Sequence, residues 1–139
     1  MKMIKLSTAA VLVAVIGNFS HVAAQIHYQL ERTIWEHLWD NNLHKDFIAF
    51  VSESKAINYS YELDEFEFLN YHVRNDTIIM TTCNVSNDVF TERPVDSITY
   101  YYEKENNRLI LLQSVFHCAD GQSRRLFSND SYILYKKEN

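Results

Sequence analysis

The sequence predicts an α+β fold, with N-terminal helices packed on a curved, mainly antiparallel sheet of about six strands. Three observations predict it. Early in the chain the apolar residues Ile26, Leu30, Ile34 and Leu38 step by four, with Trp35 and Trp39 one position over, which is helical spacing. From Ala56 onward the apolar period falls to two, as strands require. The helix-like pattern precedes all the strand-like ones, and a single sheet needs a cover on one face.

The bounds come from length and composition. A chain of 139 residues supports one domain with a modest core. Residues 1–24 carry Lys2 and Lys5, an apolar run from Ala9 to Ile16, and Val22-Ala23-Ala24, the three parts of a secretory signal peptide. The run is shorter than the ~20 residues a membrane span needs. The expected product is a secreted protein, extracellular or periplasmic, with a single domain over residues 25–139 and no membrane span after cleavage. Removing Lys2 and Lys5 from 13 basic and 18 acidic residues leaves a net charge of −7. Without a Lys/Arg cluster, that balance argues against nucleic acid or an anionic membrane as partner.

Two further patterns fit an exported chain. Cys83 and Cys118 are the only cysteines, and a disulfide between them is expected. Closing that ~36-residue loop would stabilise by about 3–4 kcal/mol. Beyond the leader, four sequons, at Asn58, Asn75, Asn84 and Asn129, are glycosylation candidates.

The elements follow in order. Gln25–Ser54 is expected to hold a helix and its continuation, faltering at Asp40-Asn41-Asn42 and restarting with Asp46 as cap of a short piece over Phe47–Val51. A first strand follows, with Ile57, Tyr59, Tyr61 and Leu63 buried and Asn58, Ser60 and Glu62 in water. Phe66, Phe68, Tyr71 and Val73 then make a second strand with a one-residue slip at Leu69-Asn70, which suggests a bulge. Arg74-Asn75-Asp76 turns into a third strand over Thr77–Val85. Ser97–Glu103 and Arg108–Cys118 are the fourth and fifth strands, joined at Lys104–Asn107. Ser123–Tyr135 is the sixth, interrupted near Asn129-Asp130. The third and fifth strands are apolar on both faces, so one face is expected to meet the helix and the other to line a pocket or a partner's surface.

Glu31-Arg32-Thr33-Ile34-Trp35-Glu36-His37-Leu38-Trp39, with Lys45-Asp46-Phe47 after it, resembles the opening helix of the SnoaL-like, nuclear-transport-factor-two-like superfamily. Val73–Ile79 and the segment from Asp120 through Arg125 to Lys137 look like that family's hairpins. The resemblance implies a cone in which helices cover a strongly bent sheet around a hydrophobic cavity. Members include isomerases, dehydratases and non-catalytic ligand binders, and homodimers are common.

Candidate chemistry is sparse. Glu36, His37, Asp40 and His44 fall close together but read as a solvated face, so no metal site is assigned, and no cofactor is expected. Gln113 and His117, two steps of the strand period apart, can share a face with Leu111; with Met80 and Tyr101 they form the expected ligand-binding set. The expected function is binding of a small apolar ligand or a protein partner, a second copy included, without catalysis. The alternative is an isomerase or dehydratase with His117 as base and a tyrosine as donor.

Overall fold

A computed structural model describes residues 25–26, 29–39, 43–83, 85, 94–128 and 132–139. The leader, the Asp40-Asn41-Asn42 interruption and the sequons at Asn84 and Asn129 lie outside these residues. Nine strands are described: β1 (Ile34–Leu38), β2 (Lys45–Phe50), β3 (Lys55–Ser60), β4 (Glu65–Arg74), β5 (Thr77–Thr82), β6 (Val95–Glu105), β7 (Arg108–Cys118), β8 (Ser123–Phe127) and β9 (Ile133–Lys136).

The fold is a closed antiparallel β-barrel, which corrects the α+β expectation. Each strand from β1 to β7 pairs with the next, β7 pairs with β9, and β9 returns to β1, so eight strands close the ring, while β8 pairs with β7 alone. β8 pairs with the upper part of β7 (Gln113–His117) and β9 with its lower part (Arg108–Ile110). The two therefore share one side of β7, and the expected interruption near Asn129-Asp130 falls outside the described residues.

The N-terminal helix is overturned by β1 and β2. Among the described residues helical backbone occurs only at residues 25–26 and 29–30. A step of four fits one helix face, but four is also even, so Ile34 and Leu38 equally share one face of a strand. The β-branched and aromatic run Thr33-Ile34-Trp35 favours the extended form, and β1 gains ladders on both sides, to β2 and to β9. Trp35 faces inward and is fully buried, whereas Leu38 is 44% exposed on the outer wall. Asp46 is likewise no helix cap; it sits in β2, in phase with the buried Ile48 and Phe50. A helix-covered cone of the SnoaL-like kind is thereby excluded, and the resemblance to that superfamily fails with it.

Two face assignments also invert. In β3 the residues turned inward are Ala56, Asn58 and Ser60, and Ile57 and Tyr59 lie outside; in β4 the alternation runs unbroken from Glu65 to Arg74, with no slip at Leu69-Asn70. Glu65, Glu67, Leu69, Tyr71 and Val73 point into the barrel, so Phe66 and Phe68 are more than half exposed. Outside, Phe47, Tyr59 and Phe66 pack ring against ring, with centroids 4.9–6.3 Å apart.

The core fills the lower half of the barrel. Leu30, Trp35, Ile48, Phe50, Leu69, Ile78, Met80, Leu109 and Leu134 have almost no solvent exposure. At this end Arg32 N donates to Phe50 O and Phe50 N to Thr33 O, so the segment before β1 closes the base. Tight turns at Asn75-Asp76 and Asn106-Asn107 place Asn75 and Asn106 at φ of 57° and 52°, a region asparagine tolerates better than most side chains.

Truncating Trp35→Ala is expected to cost about 3–5 kcal/mol in urea unfolding. Phe66→Ser, on the outer wall, is expected to cost about 1 kcal/mol or less. A larger loss for Phe66 than for Trp35 would contradict an inward-facing Trp35 and an outward-facing Phe66.

Candidate functional site

Above the apolar core the barrel changes character. A cavity of about 230 Å³ is lined by Asp46, Asn58, Tyr59, Ser60, Leu63, Glu65, Glu67, Ile98, Tyr100, Tyr102, Leu111, Phe116 and Tyr132. Three of these are carboxylates and none is Lys, Arg or His. It lies towards the end of the barrel where β3 ends and β2 and β4 begin.

The carboxylates are held by neutral donors. Asp46 is 5% exposed; one oxygen accepts from Tyr61 N at 2.7 Å and the other from Tyr132 Oη at 2.8 Å. Glu67 accepts from Asn58 Nδ2 at 2.8 Å, and Tyr100 Oη reaches both its oxygens at 3.1–3.2 Å. A carboxylate oxygen carries two lone pairs, so neither group is saturated by these bonds.

The electrostatics follow from burial. Loss of solvent pushes the Glu67 carboxyl above its ordinary range, and the bonds from Asn58 and Tyr100 pull part of the way back. Burial, with the nearby carboxylates, holds the Tyr100, Tyr102 and Tyr132 hydroxyls far above the usual tyrosine range. They therefore remain neutral donors at any physiological pH. Deeper in the core, burial and the charges of Glu31 and Glu53 push Tyr71 up to about 12, and its hydroxyl donates to Ser52 O.

The sequence-predicted ligand set is dispersed. Leu111 lines the cavity, and Met80 is buried in the core below it. Tyr101, Gln113 and His117 are on the opposite face of their strands: Tyr101 alternates with the cavity-lining Tyr100 and Tyr102, and Gln113 and His117 lie beyond a register shift of β7 against β6 at Tyr101/Tyr102. There Leu111 pairs with Tyr102 and Gln113 with Tyr101, leaving Leu112 as an extra residue. One extra residue reverses the faces of everything beyond it, so Ser114 and Phe116 turn inward in place of Gln113 and His117. His117 bonds Thr99 Oγ1 at 3.1 Å and Ser123 Oγ at 3.2 Å on the outer side, as a rim histidine does.

The other expected sites are equally placed by the strands. Asn58 points inward onto Glu67, away from the water that the sequence pattern assigns to its sequon. Asn75 is exposed at the β4–β5 turn. Cys83 and Cys118 are both free thiols, the first exposed and the second buried; β5, β6 and β7 are consecutive neighbours, which sets the two cysteines two strands apart.

Asp46, Asn58, Glu67, Tyr100, Tyr102 and Tyr132 fall outside the sequence-predicted ligand set. A signal existed in β4, where Glu65 and Glu67 keep phase with Leu69, Tyr71 and Val73. Charges in step with a buried face mark a polar interior rather than a slip.

Comparison of the chain with protein-family models, curated proteins and solved structures returned no match.

Because folding raises the Glu67 carboxyl, the folded state holds that proton more tightly than the unfolded chain, and Glu67 subtracts stability as pH rises through its titration. Glu67→Gln, which keeps the hydrogen bonds and removes the charge, is expected to raise the melting temperature at pH 7.5 and to change it little at pH 4. A lower melting temperature at pH 7.5 would contradict the assigned environment.

Proposed function

We propose that the barrel binds, without catalysis, a small molecule with a protonated amine head and an apolar or aromatic body. The observation that carries this is the cavity's charge: Asp46, Glu65 and Glu67 share one partly enclosed space with no basic side chain lining it. Buried carboxylates without a cation are costly, and the lower core shows that this chain can fill a barrel with Leu, Ile and Met where it needs only stability. An ammonium group seated between Asp46 and Glu67 would complete both charges through charge-assisted bonds. Ile98, Leu111, Phe116 and the rings of Tyr100, Tyr102 and Tyr132 offer faces for the rest of the molecule, and cation–π attraction adds to the fit.

Other features support the same reading. Eight-stranded barrels are wide enough to hold one small ligand. At about 230 Å³ the cavity is smaller than the ~300–1,000 Å³ of ordinary ligand pockets, and suits a ligand of about ten non-hydrogen atoms. The lining moves the expected ligand from purely apolar to amphipathic. The enzymatic alternative loses its base, since His117 is on the outer side of the wall. A secreted binder of this kind would act by sequestering or carrying its ligand.

Calorimetric titration with 2-phenylethylamine at pH 7.5 is expected to show one site, with Asp46→Asn and Glu67→Gln each weakening binding at least tenfold. 3-Phenylpropionate, of similar size and opposite charge, is expected not to bind. Equal affinity for the two probes would contradict the reading.

A further inference from the structure

The opposite end of the barrel holds a cavity whose lining carries the opposite charge. This second cavity, of about 400 Å³, is lined by Gln29, Trp35, Lys104, Asn106, Asn107 and Lys136. It is built by the base-closing N-terminal segment, the β6–β7 turn and the end of β9. Among the described residues its charged side chains are two lysines, and no carboxylate lines it. Among the described residues, too, neither Lys104 nor Lys136 forms an ion pair. This contrasts with Lys45 and Lys137, both of which reach Glu36, and with Arg108, which reaches Glu105.

Keeping two ammonium groups together is unfavourable in itself. Lys104 is partly buried, with Nζ 6.0 Å from the centre of the Trp35 ring and donating to Asn106 O at 2.9 Å. Burial and the neighbouring charge of Lys136 push the Lys104 ammonium below its ordinary range. In a chain with 18 acidic and 13 basic residues, a carboxylate could easily have been placed beside this pair. The side-chain amides of Gln29, Asn106 and Asn107 add neutral donors around the same space. Two point charges with only amides for polar company suit an anion with several oxygens.

We propose that this basal cavity is a binding site for a tetrahedral oxyanion, as free phosphate or as the phosphate group of a small organic molecule, held between Lys104 and Lys136. The site is independent of the acidic cavity at the other end of the barrel, and the barrel has one binding end for each sign of charge.

The test is calorimetric titration of the folded chain with inorganic phosphate and with phenyl phosphate at pH 7, against sodium chloride of matched ionic strength. Saturable binding is expected, weakened at least tenfold by Lys104→Gln or Lys136→Gln and unchanged by Lys137→Gln, whose side chain pairs with Glu36 outside the cavity. Lys136 is exposed, so Lys136→Gln leaves the fold intact even if Lys104→Gln does not. Tighter binding of phenyl phosphate supports an organic phosphate as ligand, and tighter binding of the inorganic ion supports the free anion. No saturable heat beyond that of chloride, or unchanged affinity in both cavity variants, overturns the proposal.

Discussion

Closure of the sheet between its first and last strands is the constraint on which the rest of this structure depends. β1 is only five residues long and is in ladder register with β9 at Trp35 and Glu36, with His37 Nδ1 bonded to Ile133 O beside them, yet that seam turns an open meander into a ring. A ring has an inside, and the inside needs no helix to cover it. Trp35 sits at the closing seam with its ring in the base of the core and its Nε1 donating to Thr33 Oγ1 at 2.8 Å. The seam thus joins backbone pairing and core packing in one residue.

Given closure, the interior divides by height. The lower half is packed with aliphatic and aromatic side chains to near-zero exposure, which provides the hydrophobic stabilisation. The upper half holds carboxylates, amides and phenols that bond one another and leave acceptor capacity unused. Polar interiors of this kind are tolerated because the lower core supplies the stability they subtract, and function is the usual reason such groups are retained. The outer aromatic cluster of Phe47, Tyr59 and Phe66 is the converse, with apolar rings outside because their strand neighbours are committed inside.

Much of the strand pattern was legible in the sequence. The spans of β7 and of the segment holding β8 and β9, the turns at Asn75 and Asn106, and the order of the later strands all follow from period-two alternation and turn chemistry. Three things were not legible. The spacing of Ile34 and Leu38 fits both a helix and a strand, and only the ladders to β2 and β9 decide between them. Inward and outward faces cannot be told from hydrophobicity in β3 and β4, where the barrel reserves its interior for Asn58 and Glu67 and leaves phenylalanines outside. The extra residue at Leu112 is invisible in a run that is apolar on both faces, yet it moves His117 from the inside of the wall to the outside. Of the predicted ligand set, Leu111 precedes that residue and keeps its place; Gln113 and His117 follow it and lose theirs.

Inter-strand nuclear Overhauser contacts at the seam test the barrel most directly. Backbone contacts joining Trp35 to Lys136 on one side and to Ile48 on the other are the predicted result. Sequential amide–amide contacts running through residues 33–39, the signature of a helix, with no contact from Trp35 to Lys136, would contradict closure and with it both cavities.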